Sequence, residues 1–158
     1  MIETQISLPT FQYAMNRYAD AHASRNGPGD SRPSALQVVQ DESNDRAARN
    51  NPLPNLVIII TGATSGIGFE TAKALYHTGA RILITARDVE KGQEAIQKIQ
   101  ESLPYKNKGK NNIEAIVMEL DSLDSVRSAA EEILRRVERV NILINNAGIC
   151  AFYPACDT

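Results

Sequence analysis

The chain has 158 residues, with 17 Lys and Arg against 19 Asp and Glu and a net charge of −2. That balance suits one modest domain and lacks the basic stripe that binding to a nucleic-acid backbone requires. No run approaches the roughly 18 consecutive apolar residues of a membrane span, and the start lacks the basic-then-apolar pattern of a signal peptide, so an intracellular, cytoplasmic protein is expected. Cys150 and Cys156 have neither paired zinc spacing nor histidine partners, and His22 and His77 have no metal-like neighbours. No metal site is expected, and the cysteines are read as reduced bystanders.

Residues 1–54 differ in character from the rest. Phe11, Met15 and Tyr18 recur at helical spacing, so Thr10 to Ala23 reads as one short amphipathic helix with Pro9 at its start. Ser24 to Asn55 is polar and rich in Asn, Asp, Ser, Arg, Gly and Pro, interrupted by the Ala35 to Val39 patch. Such a stretch buries too little surface to offset its ordering entropy, and it is read as a largely disordered or loosely docked extension.

Leu56 to Gly68 reads L-V-I-I-I-T-G-A-T-S-G-I-G. Five aliphatic residues in a row, most of them β-branched, predict a strand buried on both faces, as in a parallel sheet. The glycines then require a tight turn: Gly62 takes angles that a Cβ forbids, Gly66 lets main chain approach a ligand, and Gly68 lets the next helix sit close to the strand. A helix starting near Ser65 or Gly66 aims its unsatisfied N–H groups and positive dipole end at the loop, where a pyrophosphate is the natural guest. The turn lacks the Gly-Lys-Ser/Thr ending of a Walker loop, which argues against kinase or NTPase chemistry.

Downstream, Phe69, Ala72, Leu75 and Tyr76 form one apolar helix face, closed by Gly79. Arg81 to Ala86 is a second strand, followed at once by Arg87. Asp88 then caps a helix to about Ser102 with Val89, Ala95, Ile96 and Ile99 inward. Leu103 to Asn112, with its lysines, is an exposed loop. Ile113 to Leu120 is a third strand ending at Asp121. Asp121 or Ser122 caps a helix with Val126, Ala129, Ile133, Leu134 and Val137 inward. Val140 to Ile144 is a fourth strand running into Asn145-Asn146-Ala147-Gly148. Four alternations of strand and helix predict an α/β, Rossmann-type, doubly wound parallel sheet of order 3-2-1-4.

Thr61-Gly62-Ala63-Thr64-Ser65-Gly66-Ile67-Gly68 together with Asn145-Asn146-Ala147-Gly148 resembles the short-chain dehydrogenase/reductase family over roughly Asn55 to Ile149. The run through Phe69 to Asp88 looks most like its retinol-dehydrogenase-like branch. The resemblance divides the chain into the extension 1–54, a dinucleotide-binding half-domain 55–149 and an irregular tail 150–158. It implies that the turn, with Gly62, Thr64, Ser65, Gly66, Ile67 and Gly68, holds the cofactor pyrophosphate, and that Asp121 accepts a hydrogen bond from the adenine amino group. It implies too that Asn146, Ala147 and Gly148 line the ribose and nicotinamide side. All these residues fall at the carboxyl ends of predicted strands, where open α/β sheets bind ligands. Cofactor choice follows from charge: an acid at the end of strand 2 would repel a 2′-phosphate, whereas Arg87 pairs with one, so NADP(H) is expected over NAD(H).

The family's chemistry uses a tyrosine with a lysine four residues later, plus a serine that orients the substrate oxygen. None of Tyr13, Tyr18, Tyr76, Tyr105 and Tyr153 has Lys four residues on, and no catalytic residue is assigned. The resemblance places those groups after Thr158, so the chain is read as cut short by a truncated gene model, an alternative transcript or an early stop. Asn141 stands where the family commonly has an aspartate. Two functions are therefore carried forward: hydride transfer on an alcohol or carbonyl in a longer form, or a dinucleotide-binding module without catalysis, with a non-functional fragment as the limiting case. A sheet truncated after strand 4 is also expected to be marginally stable and to self-associate through that edge.

Overall fold

The computed structural model describes residues 17–23, 27, 32–48, 56–102 and 112–148. Two helices, α1 (Ala19–Ala23) and α2 (Ala35–Ala48), come first. Then β1 (Val57–Ile60), α3 (Gly66–Tyr76), β2 (Arg81–Ala86), α4 (Val89–Glu101), β3 (Ile113–Val117), α5 (Leu123–Arg136) and β4 (Ile142–Ile144) alternate. The strands form one parallel sheet in the order β3-β2-β1-β4, as the alternation predicted. Ile58 lies between Ile82 and Ile142, and Ile82 in turn pairs with Ile113.

Strand alternation sends successive isoleucines to opposite faces. Ile58, Ile60, Ile82 and Ile84 pack with Ala72 and Tyr76 of α3 and with Ala95 and Ile99 of α4. On the other face Ile59, Leu83 and Ile116 pack with Ala129 and Ile133 of α5 and with Val137. β1 and β2 are thus covered on both sides, which explains why they read as unbroken apolar runs. Burying a side chain such as Ile58, Ile60, Ile82 or Leu83 stabilises the fold by about 1.5–3 kcal/mol. Gly92 brings α4 close to the sheet: a Cβ there would stand 2.8 Å from Ala115 Cβ.

Charge closes the amino-terminal side of the sheet. Glu114 Oε1 accepts from Arg81 at 2.9 and 2.7 Å, and Glu114 Oε2 accepts from Arg136 at 3.0 Å. Arg136 also donates to Glu132 at 2.7 Å, and these acceptors hold its guanidinium pKa up. The network ties β2 and β3 to the end of α5.

Several expectations need correction. The third strand ends at Val117, not Leu120: Met118 N still donates to Ala86 O at 2.8 Å, but Glu119 N turns to Ser125 Oγ, and the chain leaves the ladder for α5. The fourth begins at Ile142, not Val140, and Asn141 fixes its start by accepting from Val57 N through Oδ1 at 2.9 Å. Leu134 and Val89 point outward, 72 % and 62 % exposed, because the buried stripe is narrower than the apolar pattern. Within the stretch expected to be disordered or loosely docked, residues 35–48 form α2, which packs against α3. Ser34 Oγ accepts from Gln37 N at its start, Tyr18 donates to Asp41 at 2.6 Å, and Arg17 pairs with Asp45 and Glu42. Of the predicted Thr10 to Ala23 helix, Ala19–Ala23 is helical; residues 10–16, the 103–111 loop and the tail with both cysteines lie outside the described residues.

Candidate functional site

The glycine turn sits at the carboxyl end of β1. Gly62 has φ +64° and Gly66 φ +58°, the left-handed region in which a Cβ is strained. Both of Gly62's backbone groups are held: its N–H donates to Thr85 Oγ1 at 3.2 Å, and its carbonyl accepts from Asn146 Nδ2 at 3.1 Å. Apart from its chain neighbours and its own helix, no described atom lies within 4 Å of the place a Gly66 Cβ would take, so the turn is open there. Gly68 is crowded instead. A Cβ would lie 2.3 Å from Asn146 Nδ2 and 2.6 Å from the Gly62 carbonyl, so the close approach expected of Gly68 is to the segment after β4 and to the turn itself.

Thr61 joins the two motifs. Its Oγ1 accepts from Asn146 N and Ala147 N, both at 3.0 Å, its carbonyl accepts from Asn146 Nδ2 at 2.9 Å, and its N–H extends the β1–β4 ladder to Ile144 O. The turn and the Asn146 to Gly148 segment are therefore one bonded unit. Across the carboxyl edge, in sheet order, stand Asp121 after β3, Arg87 after β2, the turn after β1 and Asn146–Gly148 after β4. Asp121 and Arg87 are exposed, and no hydrogen bond draws either onto the turn. Ala35 of α2 and Gly66, Ile67, Phe69, Glu70 and Thr71 line an open cleft of about 500 Å³ beside it.

The three crossover helices begin differently. Asp88 Oδ1 accepts from Lys91 N at 2.7 Å and Ser122 Oγ from Ser125 N at 3.2 Å, capping α4 and α5. That backbone N–H, with Lys91 and Arg87 nearby, holds the Asp88 carboxyl below its usual range. Ser65 is extended at the N-cap of α3 and makes no side-chain capping bond. The first-turn N–H groups of α3 thus start without a side-chain cap from Ser65, at the positive end of an eleven-residue helix. That donor set suits a phosphate.

Both described tyrosines have a phenol pKa raised above its ordinary value. Burial raises the phenol pKa of Tyr76, and burial with the Asp41 carboxylate beside it raises that of Tyr18. Tyr13, Tyr105 and Tyr153 lie outside the described residues. Sequence reading missed Thr61 and Thr85, the two buried polar side chains among the described residues. Their signal was present as one threonine just after the apolar run of β1 and another next to last in β2.

The profile of the family described as short chain dehydrogenase matches residues 56–158. Short-chain dehydrogenase/reductase prx1 of Penicillium rubens is 38 % identical over 135 residues, covering 85 % of this chain and 36 % of that protein. Because 85 % of the chain is more than residues 56–158 hold, that match runs through α2. Retinol dehydrogenase 12 of Homo sapiens is 40 % identical over 112 residues, 68 % of this chain and 33 % of that one. Among solved structures, a metagenomic short-chain oxidoreductase in complex with NADP superposes with a TM-score of 0.51 at 33 % identity, over 60 % of this chain and 39 % of that one. The chain spans about a third of the length of the curated relatives it matches.

Proposed function

The chain belongs to the short-chain dehydrogenase/reductase family, on its retinol-dehydrogenase-like branch, and from that premise we propose that residues 55–149 bind NADP(H). The observation that carries the reading is the uncapped start of α3 behind a turn whose Gly66 side is open. The turn from Gly62 to Gly68, with Thr64 and Ser65 in it, receives the pyrophosphate on the amides that follow Gly62, whose own N–H is held by Thr85. Arg87 pairs with the 2′-phosphate in forked geometry, Asp121 accepts from the adenine amino group, and Asn146, Ala147 and Gly148 line the ribose and nicotinamide side. The cofactor supplies a hydride, exchanged with an alcohol or carbonyl substrate; the residues of this chain bind and orient it. The complex of the metagenomic relative with NADP supports the choice of cofactor.

The reading also includes a cytoplasmic location; among the described residues no helix is long and apolar enough to cross a membrane. It further includes self-association through the exposed edge of β4. Calorimetric titration with NADPH and NADH tests the cofactor assignment. Tighter binding of NADPH is expected, and Arg87→Asp should remove that preference by weakening NADPH alone. Tighter binding of NADH by the unaltered chain would overturn the assignment to NADP(H).

A further inference from the structure

Gly62 lies past the last residues paired between β1 and β2, Ile60 and Ile84. Its φ of +64° turns the chain out of the strand direction. A partly buried N–H needs a partner, and the hydroxyl of Thr85, a residue only 3 % exposed on the neighbouring strand, supplies it at 3.2 Å. On the opposite side Gly62 cannot give way: a Cβ there would lie 2.8 Å from Ala147 Cα, and its carbonyl is held by Asn146 Nδ2. The first glycine of the turn is therefore clamped between β2 and the segment after β4. Thr85 is the β2 half of that clamp.

We infer that Thr85 is a positioning residue for the cofactor: its hydroxyl sets the Gly62 peptide, and through it the direction in which the following amides face the pyrophosphate. The inference rests on the NADP(H) reading above. It adds that one strand end does two separable jobs. Thr85 shapes the part of the site common to both dinucleotides, and Arg87, two residues on, reads the phosphate that distinguishes them. Valine matches threonine in shape and strand preference, so Thr85→Val removes the acceptor without opening a cavity.

The test titrates NADPH and NADH into the full chain and into T85V and T85S. T85V should weaken both cofactors by the same factor, about tenfold for one stranded N–H, while T85S stays within about twofold of the unaltered chain because it keeps the acceptor. Arg87→Asp should move NADPH alone. A purely structural threonine would give a different result, a lower melting temperature with dissociation constants unchanged well below it, and that result would overturn the inference. So would T85S binding as weakly as T85V. If T85V does not fold, T85C serves in its place, since sulfur accepts weakly: affinity should fall in the order Thr, Ser, Cys, and equality of Cys with Thr would contradict the role. Failure of the unaltered chain to bind either dinucleotide would instead remove the cofactor reading, and this inference with it.

Discussion

Thr61 holds the site together at the scale of single residues. Its hydroxyl oxygen takes two N–H groups from the segment after β4 while its own backbone stays in the sheet, so it couples the ends of β1 and β4. Thr61→Val keeps the shape and leaves Asn146 N–H and Ala147 N–H without that acceptor. We expect a loss of about 1–3 kcal/mol in denaturant unfolding, largely recovered by Thr61→Ser. An unchanged midpoint for the valine variant would contradict the coupling. His77 gives a pH signature at the same scale. Burial, then the charge of Lys73, lowers its pKa, so the folded state binds its proton less readily than the unfolded chain. Its contribution to stability is full above the ordinary histidine value and is lost as pH falls through the lowered folded value. Titration of the ring by NMR should show the depression, and an ordinary value would refute it. The glycines of the turn were legible in the sequence because only glycine meets the positive φ of Gly62 and Gly66 without strain and leaves the room that Gly68 needs. Thr61 and Thr85 were not, because a threonine at a strand end looks the same whether its hydroxyl meets water or an amide from another strand.

Capping separates what the crossover helices do. α4 and α5 use Asp88 and Ser122 to satisfy their own first turns, whereas α3 begins without a side-chain cap and faces the open turn. Ser122→Ala should cost about 1 kcal/mol in thermal or denaturant unfolding. Ser65→Ala should leave stability nearly untouched, since Ser65 makes no such bond; an equal loss in both would contradict the distinction. Asp88 carries the acid dependence of α4. Its carboxyl is depressed, chiefly by Lys91 N–H, so its stabilising effect is present above the ordinary aspartate range and is lost as pH falls through the folded value. Asp88→Asn should flatten that part of the acid limb. Helical periodicity located Ala129, Ile133 and Val137 correctly, yet it also turned Leu134 inward, where the structure exposes it. Periodicity fixes the direction of a face but not its width, which depends on how far the sheet extends beneath the helix. The helix α2 escaped prediction because its polar composition hid the contacts that anchor it, Tyr18 with Asp41 and Arg17 with Asp45.

For the whole molecule, the sheet order decides where ligands and partners meet it. The order β3-β2-β1-β4 aligns Asp121, Arg87, the glycine turn and Asn146–Gly148 along one edge. It also leaves β4 paired, among the described residues, with β1 alone, and with Leu143 56 % and Ile142 40 % exposed. An apolar strand in that state is prone to pair with another copy. Sedimentation should show association that rises with concentration and that Leu143→Lys suppresses, and a monomer at every concentration would contradict it. This architecture was legible in the sequence because β1 and β2 are continuous apolar runs, and because β1, β2 and β3 are each followed by a capped or glycine-started helix. The cleft between α2 and the glycine turn was not legible, since it depends on a contact between elements that no local pattern records. On the function proposed above, the uncapped start of α3 receives the dinucleotide. Amide chemical shifts during titration with NADPH test it most directly. Saturable shifts centred on Ser65 to Gly68, with Arg87 and Ala147 following, are the result predicted; shifts that leave those amides unmoved while others respond would contradict it.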